Sequence, residues 1–78
     1  MGENQKIVRV YSTAICPYCD MAKGLAERKG FEVVYKQLDI DYGFSEMREK
    51  FPGARTFPQI IKDGEYIGGY TALEELIG

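Results

Sequence analysis

The order in which strand-like and helix-like segments follow one another constrains this chain most. From Lys6 to Ser12 the run Ile7, Val8, Val10 and Tyr11 is β-branched and aromatic, which reads as a buried strand. Pro17 follows where a helix can begin, because a first-turn residue has no use for the N–H that proline lacks. Between Pro17 and Lys29, Met21, Ala22, Leu25 and Ala26 fall on one side, with Asp20, Lys23 and Glu27 on the other. Gly24 weakens this helix by up to about 1 kcal/mol relative to alanine, and Gly30 stops it. A second apolar run, Glu32 to Asp39, carries Val33, Val34, Tyr35 and Leu38. Strand, helix, strand in this order implies a parallel pair joined by a right-handed crossover.

The remainder predicts a turn at Tyr42-Gly43 and a short helix from Phe44 to Phe51, with Phe44, Met47 and Phe51 at helical spacing. Pro52-Gly53 ends that helix. Pro58 to Lys62 is a third strand, and Asp63-Gly64 is a hairpin turn leading into a fourth, Glu65 to Ile67. After Gly68-Gly69, Thr71 and Glu74 fit a capping box for a last helix whose apolar side is Leu73, Leu76 and Ile77. The expected architecture is α/β, in the order β-α-β-α-β-β-α: a four-stranded mixed sheet, strand order 2-1-3-4, with three helices on its faces. Residues 1–5 are polar and expected to fray. With 78 residues and no linker, repeat or low-complexity tract, residues 1–78 read as one domain.

Composition removes several functions. A net charge of −2 and a pI near 5.0 leave no basic footprint for nucleic acid. No apolar run approaches the ~20 residues of a membrane span, and the start of the chain lacks a signal-peptide layout. With no histidine, Ser/His/Asp and Cys/His catalysis are excluded. The reactive groups that remain are two cysteines, Cys16 and Cys19. A disulfide between them closes almost no loop and cannot staple a fold, so they point to chemistry in a reducing, cytoplasmic setting.

Cys16 lies between the first strand and the helix that Pro17 opens, where free backbone N–H groups and the helix dipole favour negative charge. A thiol so placed can have its pKa lowered from about 8.5 into a range of roughly 3.5–7.5, which makes it a nucleophile near pH 7. Cys19, almost one helical turn further on and less exposed, can attack a mixed disulfide formed on Cys16 and release the bound thiol. A C-x-x-C beside a βαβ pattern is a thioredoxin-like redox signature. A structural zinc site needs four ligands, which this chain supplies only by adding carboxylates or a second copy. An iron–sulfur cluster shared by two chains, one cysteine from each and glutathione completing the set, is a further alternative that Pro17 disfavours by stiffening the turn.

Three segments together, Cys16-Pro17-Tyr18-Cys19, Thr56-Phe57-Pro58-Gln59-Ile60 and Ile67-Gly68-Gly69-Tyr70-Thr71, resemble the glutaredoxin family of small dithiol proteins from Lys6 to the last helix. The resemblance implies a cis peptide bond before Pro58, in a turn facing the cysteines, with Phe57 pairing its backbone with the cysteinyl part of glutathione. On the residues alone, Pro58 reads equally as a loop proline that starts an edge strand. The resemblance further places the γ-glutamyl end of glutathione at Gly68-Gly69 and on the N–H groups of Thr71 and Ala72, where a helix start favours a carboxylate. Tyr18, Thr56, Phe57, Pro58, Gly69, Tyr70, Thr71 and Ala72 are thus the candidate glutathione contacts, with Tyr18 a rim aromatic beside the thiols. Gln59 fits either a ligand contact or a polar residue of an edge strand.

Two residues depart from the family pattern. Thr13 stands where glutaredoxins commonly carry lysine or arginine, and Ala72 where they commonly carry aspartate, so two charged partners for glutathione are missing. The last helix is expected to be short. The implied function is a monomeric thiol–disulfide oxidoreductase with no tightly bound cofactor and glutathione as co-substrate, acting on protein disulfides and glutathione mixed disulfides. Candidate protein partners include an enzyme such as ribonucleotide reductase. The rival within the same chemistry is a redoxin recycled by thioredoxin reductase, whose usual tryptophan-bearing segment before the last helix is missing here.

Overall fold

The structure is a computed structural model that describes residues 6–54 and 56–78, so the expected fraying of residues 1–5 lies outside the described residues. Its elements are β1 (Ile7–Ser12), α1 (Pro17–Arg28), β2 (Glu32–Gln37), α2 (Phe44–Lys50), β3 (Gln59–Lys62), β4 (Glu65–Gly68) and α3 (Tyr70–Ile77). They form a four-stranded sheet in the order β2-β1-β3-β4. The β1–β2 pair is parallel, and β1–β3 and β3–β4 are antiparallel. The fold class, element order and strand order therefore agree with the sequence reading.

Alternation along β1 separates two cores. Val8 and Val10 face one side and, with Ile60 of β3, meet Ala22, Leu25 and Ala26 of α1 and Leu73 of α3. Tyr11 faces the other side, where it joins Leu38, Tyr42, Met47 and Phe51. The first layer is aliphatic, and its two alanines let α1 lie close to the sheet. The second is aromatic, with the Tyr11 ring edge-on to Tyr42 at 5.0 Å and to Phe51 at 5.1 Å. The Tyr42 hydroxyl donates to the Ser12 carbonyl at 2.8 Å. Burial pushes its phenol up to about 12.

Local chemistry fixes the ends that aim the site. α1 closes in a Schellman arrangement: Phe31 N–H donates to the Ala26 carbonyl at 3.0 Å and Gly30 N–H to that of Glu27 at 3.1 Å. Gly30 takes the positive φ, +88°, that this cap requires. Asp63 and Gly64 both have positive φ, 51° and 86°, as a tight two-residue hairpin demands. The Asp63 side chain also ties the hairpin to β1 by accepting from Ile7 N–H at 2.9 Å, which holds its carboxyl below the usual range.

Several details differ from expectation. The turn after β2 falls at residues 39–41 rather than at Tyr42-Gly43, because Asp39 N–H donates to the Tyr42 carbonyl and Tyr42 bridges back to Leu38. Met21, Phe44 and Leu76 are exposed, at 46%, 56% and 59%, so only the part of each helical stripe that meets the sheet or a neighbouring helix is covered. The capping box does not form: α3 begins at Tyr70 with Gly69 as N-cap, and no side chain caps it. β3 is interior, paired on both sides, so Gln59 is not an edge residue.

Candidate active site

The loop from β1 to α1 delivers Cys16 as the N-cap of α1, in extended backbone with Pro17 behind it at the first helical position. Its Sγ accepts the Cys19 N–H at 3.1 Å. The sulfur thus occupies the place that a serine or aspartate oxygen takes at other helix starts. Cys16 and Cys19 are joined as a disulfide, with Cα atoms 5.2 Å apart. The two cysteines differ in access: Cys19 is fully buried, whereas Cys16 is half-buried. A sulfur arriving from outside therefore meets Cys16 first.

Charge is sparse in the sequence around the pair. Asp20 is the sole formally charged residue in sequence between Arg9 and Lys23. Its carboxylate accepts from the Tyr35 hydroxyl at 3.1 Å, and burial, aided by Asp20, pushes the Tyr35 phenol up. Ala14, Ile15, Pro17 and Tyr18 are exposed around Cys16, Ile15 at 90%. These exposed residues flanking Cys16 carry no charge. The helical and strand periodicities pass over Ile15, and the one sequence signal for it is an apolar residue outside any periodic stripe.

Beside this approach runs a groove of about 240 Å³ lined by Tyr18, Thr56, Phe57, Pro58, Gly69, Tyr70, Thr71 and Ala72. These are the eight residues singled out from the sequence beside the cysteines, and three separate segments bring them together. Tyr18, between the cysteines, packs its ring against Tyr70 at 5.8 Å. The Phe57–Pro58 peptide bond is cis. Opposite, Gly69 comes so near that a Cβ there would stand 3.5 Å from the Pro58 carbonyl oxygen. The N–H groups of Thr71 and Ala72 belong to the first turn of α3, which has no intrahelical acceptor for them.

Gln59 does not reach the groove. It is buried, and its side-chain amide donates to the Thr56 carbonyl at 2.7 Å while accepting from the Tyr66 hydroxyl. Phe57 lines the groove and also packs against the aromatic cluster on the Tyr11 side of the sheet. Tyr66, which the sequence reading did not single out, packs on Phe51 at 5.0 Å. Thr13, where the family pattern has a cation, is half-buried in the loop before Cys16.

Chemically, the arrangement offers one accessible sulfur held at a helix start, a second that closes the disulfide, and an adjacent groove with backbone donors at one end. Among the described residues no helix is long and apolar enough to cross a membrane. Comparison with known proteins gives a consistent result. The glutaredoxin family profile matches residues 8–67. Glutaredoxin 1 of Rickettsia felis is 39% identical over 71 residues, an alignment covering 86% of this chain and 68% of the relative. Glutaredoxin 3 of Escherichia coli K12 is 41% identical over 64 residues, covering 80% of this chain and 75% of the relative. Among solved structures, glutaredoxin 1 of Francisella tularensis superposes with a TM-score of 0.73 at 28% identity, covering 90% of each chain. The chain belongs to the glutaredoxin family, and it is a thiol–disulfide oxidoreductase whose redox pair is Cys16–Cys19.

Proposed function

We propose that this chain, working as a one-domain monomer in the cytoplasm, reduces protein disulfides and glutathione mixed disulfides and is recycled by glutathione. The observation that carries this reading is the asymmetry of the pair: the half-buried Cys16 sulfur sits at the α1 N-terminus beside the groove, and the Cys19 sulfur lies buried behind it. In the reduced protein, the Cys16 thiolate attacks one sulfur of a substrate disulfide. A mixed disulfide forms, and the other substrate sulfur leaves as a thiolate that takes a proton from water. The Cys19 thiolate then attacks Cys16 Sγ, which restores the Cys16–Cys19 disulfide and frees the second substrate thiol. Two glutathione molecules return the pair to the dithiol. The first forms a mixed disulfide on Cys16, and the second removes it as oxidised glutathione.

In this reading Phe57 pairs its backbone with the cysteinyl part of glutathione, and the Thr71 and Ala72 N–H groups receive the γ-glutamyl carboxylate. Tyr18, Thr56, Pro58, Gly69 and Tyr70 complete the surface, and no cofactor stays bound. The exposed apolar rim at Ala14, Ile15 and Pro17 supports access by protein disulfides, with ribonucleotide reductase among the candidate partners.

The test is a trap. Cys19→Ser, incubated with oxidised glutathione, should gain a single glutathionyl group on Cys16 by mass spectrometry and keep its activity towards glutathione mixed disulfides. If the group instead went onto the Cys19 of a Cys16→Ser protein, which then remained active, the roles would be reversed.

A further inference from the structure

One wall of the groove is fixed from behind by a side chain that the thiol chemistry does not use. Gln59 pairs with Tyr11 across β1, which places it on the aromatic side of the sheet, and it is 4% exposed. Its Nε2 donates to the Thr56 carbonyl at 2.7 Å and lies 3.4 Å from Thr56 Oγ1. The amide can be oriented only one way. A carbonyl only accepts, so the nitrogen must face Thr56, which leaves Oε1 for Tyr66 and obliges the tyrosine hydroxyl to donate. Tyr66, in β4, is itself placed by pairing with Ile61 of β3 and by its contact with Phe51. A donor chain thus runs from the edge strand, through the amide, to the backbone of the segment that lines the groove.

We propose that Gln59, oriented by Tyr66, is the positioning residue for Thr56–Pro58. Its amide sets where the Thr56 carbonyl and the Phe57 backbone stand, and so governs how well the groove takes a glutathionyl substrate, without acting on the sulfurs. The inference rests on the groove being the glutathione surface. Among the described residues, Tyr11 and Tyr66 are the titratable side chains facing position 59, with Lys36 5.5 Å from the Tyr11 ring. A carboxyl introduced at position 59 adds an acidic group between these partners, one that is protonated or ionised according to pH.

The experiment measures KM and kcat for a glutathionylated peptide with the full chain, between about pH 5 and pH 8, in wild type, Gln59→Glu and Tyr66→Phe. An ionised carboxylate at position 59 cannot donate to Thr56, so KM relative to wild type should rise about tenfold at the alkaline end. A protonated carboxyl can donate again, so that ratio should close as the pH falls, with kcat within about twofold throughout. Tyr66→Phe should raise KM about two- to threefold at every pH, since water can take over the lost donor. The alkylation rate of Cys16 by iodoacetamide should match wild type in both variants. A pH-independent KM ratio for Gln59→Glu, or KM, kcat and alkylation all changing together, would overturn the positioning role. Gly69→Val, which narrows the groove from the opposite wall, separates this from the underlying reading. If it raises KM while Gln59→Glu does not, positioning alone fails; if it leaves KM unchanged, the groove is not the glutathione surface and both fail.

Discussion

Two helix starts border the site, and they are built differently. At α1 the N-cap residue supplies its own acceptor, the Cys16 sulfur, and Pro17 follows it. At α3 the N-cap is Gly69, which has no side chain to offer, and the first-turn N–H groups of Thr71 and Ala72 border the groove. The same backbone donors therefore serve two ends. At α1 they meet a sulfur that belongs to the protein, the acceptor of the Cys19 N–H. At α3, in the proposed reading, they meet a carboxylate that glutathione brings. The anchoring differs too: α1 buries Cys19, Ala22, Leu25 and Ala26, whereas α3 buries Leu73 alone.

The largest effect should come from removing the built-in acceptor's chemistry. Cys16→Ser leaves an oxygen that can still cap α1, so the fold should persist, yet reduction of both protein disulfides and glutathione mixed disulfides should fall to background. Residual turnover in a coupled NADPH assay would break the contrast between the two helix starts. Next is Leu73→Ala, which truncates the one fully buried side chain of α3 and should cost about 2–5 kcal/mol in denaturant unfolding. Ala22→Gly in α1 should cost less, because three other buried residues still hold that helix.

A smaller change sharpens the account of α3. In the proposed reading Ala72→Asp supplies a charged partner for the glutathione ammonium and should tighten binding several-fold, by roughly 1 kcal/mol at this half-buried position. Calorimetric titration of a cysteine-to-serine form should show the gain shrinking with added salt. Equal or weaker binding would mean that the ammonium lies elsewhere. The smallest effect concerns the strand that delivers Cys16. Tyr42 donates to the Ser12 carbonyl, and its phenol is raised to about 12 by burial. Its contribution to stability is complete below about pH 10 and is lost as the pH climbs through the raised value. Tyr42→Phe should flatten that alkaline limb in thermal melts, while lowering stability at neutral pH by about 1 kcal/mol for the lost hydrogen bond.

Much of the fold was legible because local signals agreed with one another. The β-branched run of β1, Pro17 at the helix start, Gly30 past its end and Asp63-Gly64 at the hairpin each admit few conformations. Together they leave little freedom in strand order. The capping box at Thr71 misled because its chemistry is local, whereas the true helix start depends on Gly68. That residue takes a φ of 114°, which lets β4 end and α3 begin at Tyr70 almost at once. Had the box formed, the Glu74 side chain would have occupied the Thr71 N–H, one of the two first-turn donors at the groove. Gln59 was misplaced for a related reason: a polar residue in a short strand looks like an edge residue until its partners across the sheet are known. The residues of the groove were legible through family resemblance, since no periodicity brings residues 56–58 next to 69–72. Ile15 and Tyr66 escaped because their roles depend on what surrounds them in space.

Whether glutathione recycles the Cys16–Cys19 pair is open to a direct assay. The direct measurement supplies the full chain, first with glutathione, glutathione reductase and NADPH, then with thioredoxin reductase and NADPH, and follows NADPH oxidation on a small disulfide under anaerobic conditions. The account predicts saturable turnover in the glutathione system, little with thioredoxin reductase, and a colourless protein. Turnover with thioredoxin reductase alone, or a coloured dimer inactive in both systems, would contradict it.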